Sequence, residues 1–254
     1  MRAIHARRAR GFTLTELTVV FMIVSIMLAT AMYTLSAQTE QRNFEETRRR
    51  LEAARELLLG FAVANGRLPC PATAASTGAE AITTPPNCDT FYGGFLPARA
   101  IGFQVVDANG FALDAWQNRI RYAVSSAAPT GCAGTSTAPH FTNATNLRTN
   151  GITCRPNDLV VCNRSPATIT NTVCDANTSA TNQNVVVAIV YSTGKNGAIG
   201  GTGTNEARNL DNNALFVSRP LDAAGAVGGA FDDQMAWIPV GEFYGKLIAA
   251  GALP

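Results

Sequence analysis

This chain has few histidines and no closely spaced cysteine pair. Its 254 residues include two histidines, and His140 is the only one beyond the first eleven residues. The six cysteines contain no Cys-x-x-Cys pair, so a zinc site is not indicated. A catalytic triad built on one histidine in a Thr- and Asn-rich region is equally unsupported. The glycine-rich stretch after Tyr191 lacks the order of a phosphate-binding loop. These absences predict that the protein is not an enzyme.

Charge is missing from Leu17 to Thr39, a run of 23 residues. At about 1.5 Å per helical residue this run covers about 35 Å, which exceeds a hydrocarbon core of about 30 Å. Four arginines lie in the eleven residues at the N terminus, and these are Arg2, Arg7, Arg8 and Arg10. Because positive residues stay on the cytoplasmic side, we expect a cytoplasmic N terminus and a translocated C-terminal body.

The chain has no excess of positive charge outside its first eleven residues, which we call the leader. The formal net charge is +2, from 20 basic and 18 acidic residues. Without the four leader arginines, 16 basic residues stand against 18 acidic ones. Nucleic acid is therefore not a predicted partner, since its binding needs a basic surface.

The stretch Gly11–Leu17, Gly-Phe-Thr-Leu-Thr-Glu-Leu, joins the basic leader to the apolar run. It resembles the cleavage and methylation motif of type IV prepilins and type II secretion pseudopilins. The resemblance implies that a membrane-embedded prepilin peptidase cuts between Gly11 and Phe12 and methylates Phe12. It also implies that Glu16 pairs with a terminal amine during filament assembly. A carboxylate at the edge of an apolar span is costly unless it is paired, which agrees with that role.

Two other interpretations of the N terminus remain open. A secretory signal peptide is cleaved after its apolar core, and the small residues at Ala29–Ala31 or at Ser36 and Ala37 would suit such a cut. The segment could also be a single-span anchor that is never processed. The Gly-Phe junction lies before the core, which favours the prepilin interpretation.

The resemblance also narrows the kind of subunit. Major pilins usually carry a proline and a glycine inside this helix, and the matching positions here are Tyr33 and Ser25. We therefore expect a straight helix and a type II pseudopilin or a type IV minor pilin. The implied partners are other pilin or pseudopilin subunits and an inner-membrane assembly platform. The implied location is the bacterial inner membrane, with the C-terminal domain in the periplasm or in an extracellular filament.

Hydrophobic periodicity predicts an α+β fold in which a long N-terminal helix packs on an antiparallel β-sheet. Residues 12–66 form the helix, with a transmembrane part at 12–37 and an amphipathic part at 38–66. Residues 67–254 form the globular domain. Val185–Tyr191 is continuously apolar and β-branched, which predicts a central strand. Further candidates are strands over the second half of Asp114–Val124, Ala214–Ser218 and Gln234–Ile238, and a helix at Val240–Ala250 with Phe243, Leu247 and Ile248 on one face.

Residues from about 127 to 184 are rich in Thr and Asn, and we interpret them as a surface insertion. A pilus-tip adhesin or other ligand-binding module carried by this insertion is the alternative to a machinery role. All six cysteines lie in the exported body, where an even number predicts up to three disulfides with 15 possible connectivities. Short loops favour pairing neighbours along the chain, which gives Cys70–Cys88, Cys132–Cys154 and Cys162–Cys174.

Three features of the body also resemble pseudopilins. The segment from Asp114 resembles a D-x-W-G segment, with Gln117 where glycine is common, and Asp114 is expected to form a turn or a cap. Ser192–Gly197 resembles an S-x-G-x-x-G loop. The resemblance implies calcium in a C-terminal loop, for which the candidate ligands are Asp211, Asp222, Asp232 and Asp233. The alternative is that these acids only form turns and edges. No other cofactor is predicted.

Overall fold

The structure is a computed structural model. It describes residues 13–84, 87–128, 132, 136–166, 173–197, 204–222 and 229–253, with only the backbone at 31 and 33–36. The leader and Phe12 lie outside these residues, and so do Gly200 and Gly201 of the glycine-rich stretch after Tyr191. A division after Asn43 separates an N-terminal unit from a C-terminal unit.

The described part of the N-terminal unit consists largely of the first part of helix α1, Leu14–Asn65. Apolar side chains line it on all sides and are exposed, with Phe21 at 61% and Met27 at 65%. Among the residues described here, no helix combines the length and the apolar character needed to cross a membrane. The transmembrane part expected at 12–37 stays a prediction.

Helix α1 ends in the C-terminal unit at a glycine stop. Gly66 has a φ of +67° and its N–H donates to the carbonyl of Ala62 at 2.8 Å. Glycine adopts this left-handed conformation without steric cost, and it therefore terminates helices. Pro69 and Pro71 follow, and their missing amide hydrogens disfavour a further helical turn.

A four-stranded antiparallel sheet forms the centre of the C-terminal unit. Its strands are β3 (Gly94–Phe95), β4 (Arg121–Val124), β6 (Val186–Ser192) and β8 (Gln234–Pro239), in the order β3-β4-β6-β8. All seven residues of β6 are buried. The predicted central strand is thus confirmed, and so is the α+β fold. The remaining elements are β1 (Ile82–Thr84), β2 (Asn87–Cys88), α2 (Ala98–Ile101), α3 (Ala144–Asn150), a 3-10 turn (Gly151–Thr153), β5 (Val160–Cys162), α4 (Thr204–Asn209), β7 (Leu215–Val217) and α5 (Val240–Ala249).

The two faces of this sheet bury different layers. Tyr122 and Val190 lie in one core cluster with Leu58 of α1. The residues that alternate with them, such as Ile189, lie in a second cluster with Phe216. Strand β7 pairs in parallel with β5, so this second cluster lies between two sheets. The unit is therefore a three-layer arrangement of helix, antiparallel sheet and small parallel sheet.

Within residues 127–184, which we interpret as a surface insertion, several described side chains belong to the core, whereas residues 173–184 are half-buried or exposed. Phe141 and Leu147 are fully buried in the cluster that contains α1. Leu159 and Val161 are fully buried in the second cluster. The apolar residues here are widely spaced among Thr and Asn, so no periodicity reveals that they belong to the core. In helix α5, Phe243 and Leu247 are buried, whereas Ile248, which we expected on the same face, is 48% exposed.

Three disulfides stabilise the described body. They join Cys70 to Cys88, Cys132 to Cys154 and Cys162 to Cys174, with sequence separations of 18, 22 and 12. This is the neighbour pairing favoured by short loops. Each bond restricts the conformations of the unfolded chain and typically raises the free energy of unfolding by about 2–4 kcal/mol.

Tyr244 of helix α5 contacts both a buried histidine and the backbone of one of these disulfides. The Tyr244 hydroxyl donates to the carbonyl of Cys154, so His140 Nε2 donates to the Tyr244 hydroxyl oxygen at 2.9 Å. His140 is 1% exposed, and this burial lowers its pKa to about 4. The imidazole is therefore neutral in the folded protein near neutral pH.

We expect the contribution of His140 to the free energy of unfolding to fall as the pH falls from about 6.5 to about 4, measured as the difference between wild type and His140→Gln. The comparison with the variant is needed because the raised pKa of Asp232 acts with the opposite sign in the same window. In that window the unfolded chain binds a proton at His140 that the folded chain does not, so acid favours unfolding. The expected loss is about 3.5 kcal/mol at about 1.4 kcal/mol per pKa unit. Urea unfolding of the full chain in detergent at several pH values measures it. His140→Gln keeps a neutral donor for Tyr244, and an unchanged pH dependence in this variant would contradict the assignment.

Candidate functional site

The first turn of α1 holds the carboxylate of Glu16. The Thr13 N–H and the Thr13 hydroxyl both donate to Glu16 Oε2 at 2.8 Å, and the Glu16 N–H donates to Thr13 Oγ1 at 3.3 Å. This reciprocal pattern is a capping box, which satisfies backbone donors at the start of a helix. Gly11 and Phe12 lie outside the described residues. In the sequence, Glu16 follows Phe12 by four residues.

A second group of polar residues surrounds Asp232 at the start of β8. The loop that resembles S-x-G-x-x-G wraps this carboxylate, since the Lys195 and Asn196 N–H groups donate to Asp232 Oδ2 at 3.1 and 3.2 Å. Gly194 has a φ of +62°, and a Cβ there would lie 2.1 Å from Asp232 Oδ1. Only glycine fits this approach, which explains the glycine at that place in the loop.

Three carboxylates converge at this point. One oxygen each of Glu206, Asp232 and Asp233 lies within 4.8 Å of the others. Glu206 Oε1 accepts from the Asp232 N–H at 3.0 Å, and the Asn196 side-chain amide donates to both Glu206 oxygens at 2.9 Å. Asn209 Nδ2 donates to Asp233 Oδ2 at 2.7 Å. We call Glu206, Asp232 and Asp233 the acidic cluster.

Burial and mutual repulsion weaken the acidity of this cluster. Desolvation by burial raises the pKa of Asp232 to about 6, and the Glu206 charge adds to the shift. Burial raises the pKa of Asp233 to about 8, with further contributions from Glu206 and Asp232. Negative charge is thus concentrated in a poorly solvated place, where either a proton or a cation stabilises it.

The acidic cluster differs from the predicted calcium ligands. Asp232 and Asp233 belong to it, but Asp211 pairs with Arg208 at 2.7 Å and Asp222 pairs with Arg219. Each of these two acids is already neutralised by an arginine three residues before it. Glu206 replaces them, and sequence reasoning missed it because nothing local distinguishes an acid in the first turn of α4 from a solvated one.

The donor set of the acidic cluster fits a hard cation. Asp232 Oδ1 and Asn196 Oδ1 are buried without a hydrogen-bond partner in the part of the chain that the structure describes. Carboxylate and amide oxygens are the ligands that calcium prefers, and calcium takes six to eight of them. The residues that could hold calcium are therefore Glu206, Asp232, Asp233 and Asn196.

Asp114 fixes the other side of the same loop. Its Oδ1 accepts from the Trp116 and Asn118 N–H groups at 2.9 and 2.8 Å, and its Oδ2 accepts from the Ser192 hydroxyl at 2.6 Å. Asn118 Nδ2 also donates to the carbonyl of Gly194 at 2.6 Å. The expected turn-forming role of Asp114 is confirmed, and this residue additionally ties the turn to the loop that wraps Asp232.

Comparison with known proteins bears on the N-terminal segment. Residues 6–32 match a family model described as the prokaryotic N-terminal methylation motif. Neither the curated proteins nor the solved structures contain a significant match to the chain. The matched residues include the predicted cleavage junction and Glu16. The N-terminal segment thus carries a prepilin-type methylation motif, as type IV pilin-like proteins do.

Proposed function

We propose that the protein is a structural subunit of a membrane-anchored helical filament, as a type II secretion pseudopilin or a type IV minor pilin. The observation that supports this most is the methylation motif at residues 6–32, in which Glu16 lies four residues after Phe12, at the edge of the apolar segment. Prepilin peptidase cuts between Gly11 and Phe12 and methylates Phe12. The segment 12–37 then anchors the subunit in the inner membrane until the assembly platform adds it to a filament.

Glu16 has two successive partners in this proposal. Before assembly, Thr13 holds the carboxylate at the start of α1. Cleavage creates a cationic amine on Phe12, and both charges are costly in lipid unless they are paired. When subunits stack, Glu16 of one subunit neutralises the amine of another. This pairing sets the axial position of each subunit in the filament.

We expect Glu16→Ala and Glu16→Gln to be cleaved normally but to enter filaments at least tenfold less than wild type. Gln can still accept from the Thr13 N–H, but neither side chain can neutralise an amine. Mass spectrometry of the N terminus measures cleavage and methylation, and the sheared filament fraction measures assembly. Thr18→Ala is a matched control, because its hydroxyl only bonds the carbonyl of Thr15 at 2.8 Å. Normal incorporation of Glu16→Gln would contradict charge pairing and leave only a capping role.

Calcium binding at the acidic cluster is a second property that we propose. It is supported by the three converging carboxylates and the buried oxygens of Asp232 and Asn196. Bound calcium would neutralise the repulsion within the cluster and hold the loop that wraps Asp232. It would thus stabilise the C-terminal unit without taking part in any reaction.

A further inference from the structure

A cavity of about 200 Å³ lies in the C-terminal unit, next to the point where the chain leaves α1. Its walls come from the segment after α1, from β1 and from the start of α3. Its polar lining is Arg67, Thr142, Asn143 and Thr145, and its apolar lining includes Ile82 and Ala144. Among the described residues, neither Glu16 nor the acidic cluster lines it, so the function proposed above does not account for this cavity.

Covalent and hydrogen bonds hold the walls of the cavity together. Cys70 also lines it, and the disulfide from Cys70 to Cys88 closes the loop that contains Ile82. The Leu68 N–H donates to the carbonyl of Phe141 at 2.8 Å, which joins the segment after α1 to the segment before α3. The cavity is therefore formed before any ligand arrives, as is usual for small-molecule sites.

The guanidinium of Arg67 is held in one orientation. Its Nη1 donates to Glu80 Oε2 at 2.7 Å and to the carbonyl of Leu68 at 3.0 Å, and its Nη2 donates to Glu80 Oε1 at 3.1 Å. The group also lies over the ring of Phe61, with Cζ 5.5 Å from the ring centroid. Because a guanidinium has five N–H groups, two of them have no partner in the described part of the chain.

Asn143 is fixed as the N-cap of α3. Its Oδ1 accepts from the Thr145 and Asn146 N–H groups at 2.9 and 3.2 Å. Since backbone N–H groups need an acceptor, these bonds place the oxygen on the side of the helix. Both hydrogens of Asn143 Nδ2 then remain for a partner other than the residues described here.

Two hydroxyls complete the polar lining. Thr142 is 1% exposed, and its hydroxyl is buried without a partner among the described residues. Thr145 is exposed. A hydroxyl both donates and accepts, and a buried one without a partner costs free energy, so a ligand that reaches it recovers that cost.

We propose that this cavity binds one neutral sugar ring. The unused N–H groups of Arg67 and Asn143 require oxygen acceptors, and the two threonine hydroxyls match sugar hydroxyls, which also donate and accept. Glu80 already neutralises Arg67, so an anionic ligand would lie close to a second negative charge. Ile82 and Ala144 offer apolar contacts to the C–H groups of the ring. The volume of about 200 Å³ leaves no room for a second ring.

This site is independent of the proposed filament function. Residues 142–145 belong to the Thr- and Asn-rich region that we expect to carry any ligand-binding module. A free sugar and the terminal unit of a surface glycan offer the cavity the same chemistry, so both are needed as probes.

Saturation-transfer NMR of the full-length protein, in a detergent without a sugar headgroup, tests this site. The probes are free glucose, galactose, mannose and N-acetylglucosamine, and the same four sugars at the ends of immobilised oligosaccharides. We expect at least one free sugar to bind. Competition by that sugar against its own glycan identifies a terminal unit as the ligand, and binding of the free form alone identifies a free sugar. Glycan binding that no free sugar inhibits would contradict a cavity for one ring.

A charge-matched pair of variants locates the binding. Aspartate caps a helix as well as asparagine does, but Asn143→Asp replaces the two free Nδ2 hydrogens with an acceptor. We therefore expect at least tenfold weaker sugar binding by Asn143→Asp at an unchanged Tm. Asn163→Asp makes the same change at an exposed residue outside the cavity, and it should bind as wild type does.

The remaining outcomes are decisive in the other direction. Full binding by Asn143→Asp, or an equal loss in Asn163→Asp, would overturn the site. Tighter binding of glucuronic acid or inorganic phosphate than of the neutral sugars would overturn the neutral ligand. If none of the four sugars binds in either form, the proposal fails, and the filament function is unaffected.

Discussion

Replacing Asp114 with alanine is expected to lower the free energy of unfolding of the body by about 3–4 kcal/mol. Asp114 is fully buried and accepts from two backbone N–H groups and from the Ser192 hydroxyl. Alanine leaves all three donors without a partner, and a buried unsatisfied donor typically costs about 1–3 kcal/mol. For a unit of this size, a loss of about 3 kcal/mol lowers the Tm by about 6–12 °C.

Two milder variants locate the origin of that effect. Asp114→Asn retains an oxygen for the Trp116 and Asn118 N–H groups, so we expect a loss of only about 1 kcal/mol. Ser192→Ala removes the donor to Asp114 Oδ2 and also the acceptor of the Gly194 N–H, so we expect a loss of about 1–2 kcal/mol. Urea unfolding of the full chain in detergent measures all three variants. Equal losses for Asp114→Ala and Asp114→Asn would show that the two backbone bonds are not the cause.

The effect should extend to helix α1. Arg50 Nη1 donates to the carbonyls of Leu113 and Asp114 at 3.1 and 2.7 Å, and the Ala115 N–H donates to Thr47 Oγ1 at 3.1 Å. The turn around Asp114 therefore connects the amphipathic part of α1 to the loop after β6. A disordered turn would release both contacts, so we expect faster hydrogen exchange near residue 47 in Asp114→Ala.

The sequence predicted those elements whose position is determined by neighbouring residues, such as a helix end or a fully apolar strand. The stop at Asn65 and Gly66 is visible because glycine is needed at a positive φ, and β6 is visible because its whole length is apolar. Gln117 shows the limit of such rules. Its φ is +69°, a conformation that favours glycine. Glycine is common at this position in the segment that residues 114–122 resemble. The turn therefore forms although glutamine adopts this conformation less readily than glycine.

What the sequence could not show depends on contacts between distant segments. Glu206 joins Asp232 across 26 residues of chain, and no periodicity marks either residue as a partner of the other. Phe141 and Leu147 are core residues in a stretch whose composition is typical of a loop.

We expect calcium to raise the Tm of the full chain, and a chelator to abolish the rise. The acidic cluster holds three carboxylates within 4.8 Å, and a bound cation offsets both their repulsion and their burial. A ligand that binds only the folded state at about 100 times its Kd stabilises it by about 2.7 kcal/mol. For this unit, that corresponds to about 5–10 °C in the Tm.

Paired variants distinguish the acidic cluster from the acids that only resemble ligands in the sequence. Glu206→Gln and Asp232→Asn should lose the calcium response, because each removes a converging carboxylate. Asp211→Asn and Asp222→Asn should retain it, because those acids pair with Arg208 and Arg219 instead. If wild type melts at the same temperature in calcium and in chelator, the acidic cluster binds no calcium and is stabilised by protonation instead. If Asp211→Asn loses the response while Glu206→Gln keeps it, calcium binds at the other acids, and the cluster serves only to fix the loop around Gly194.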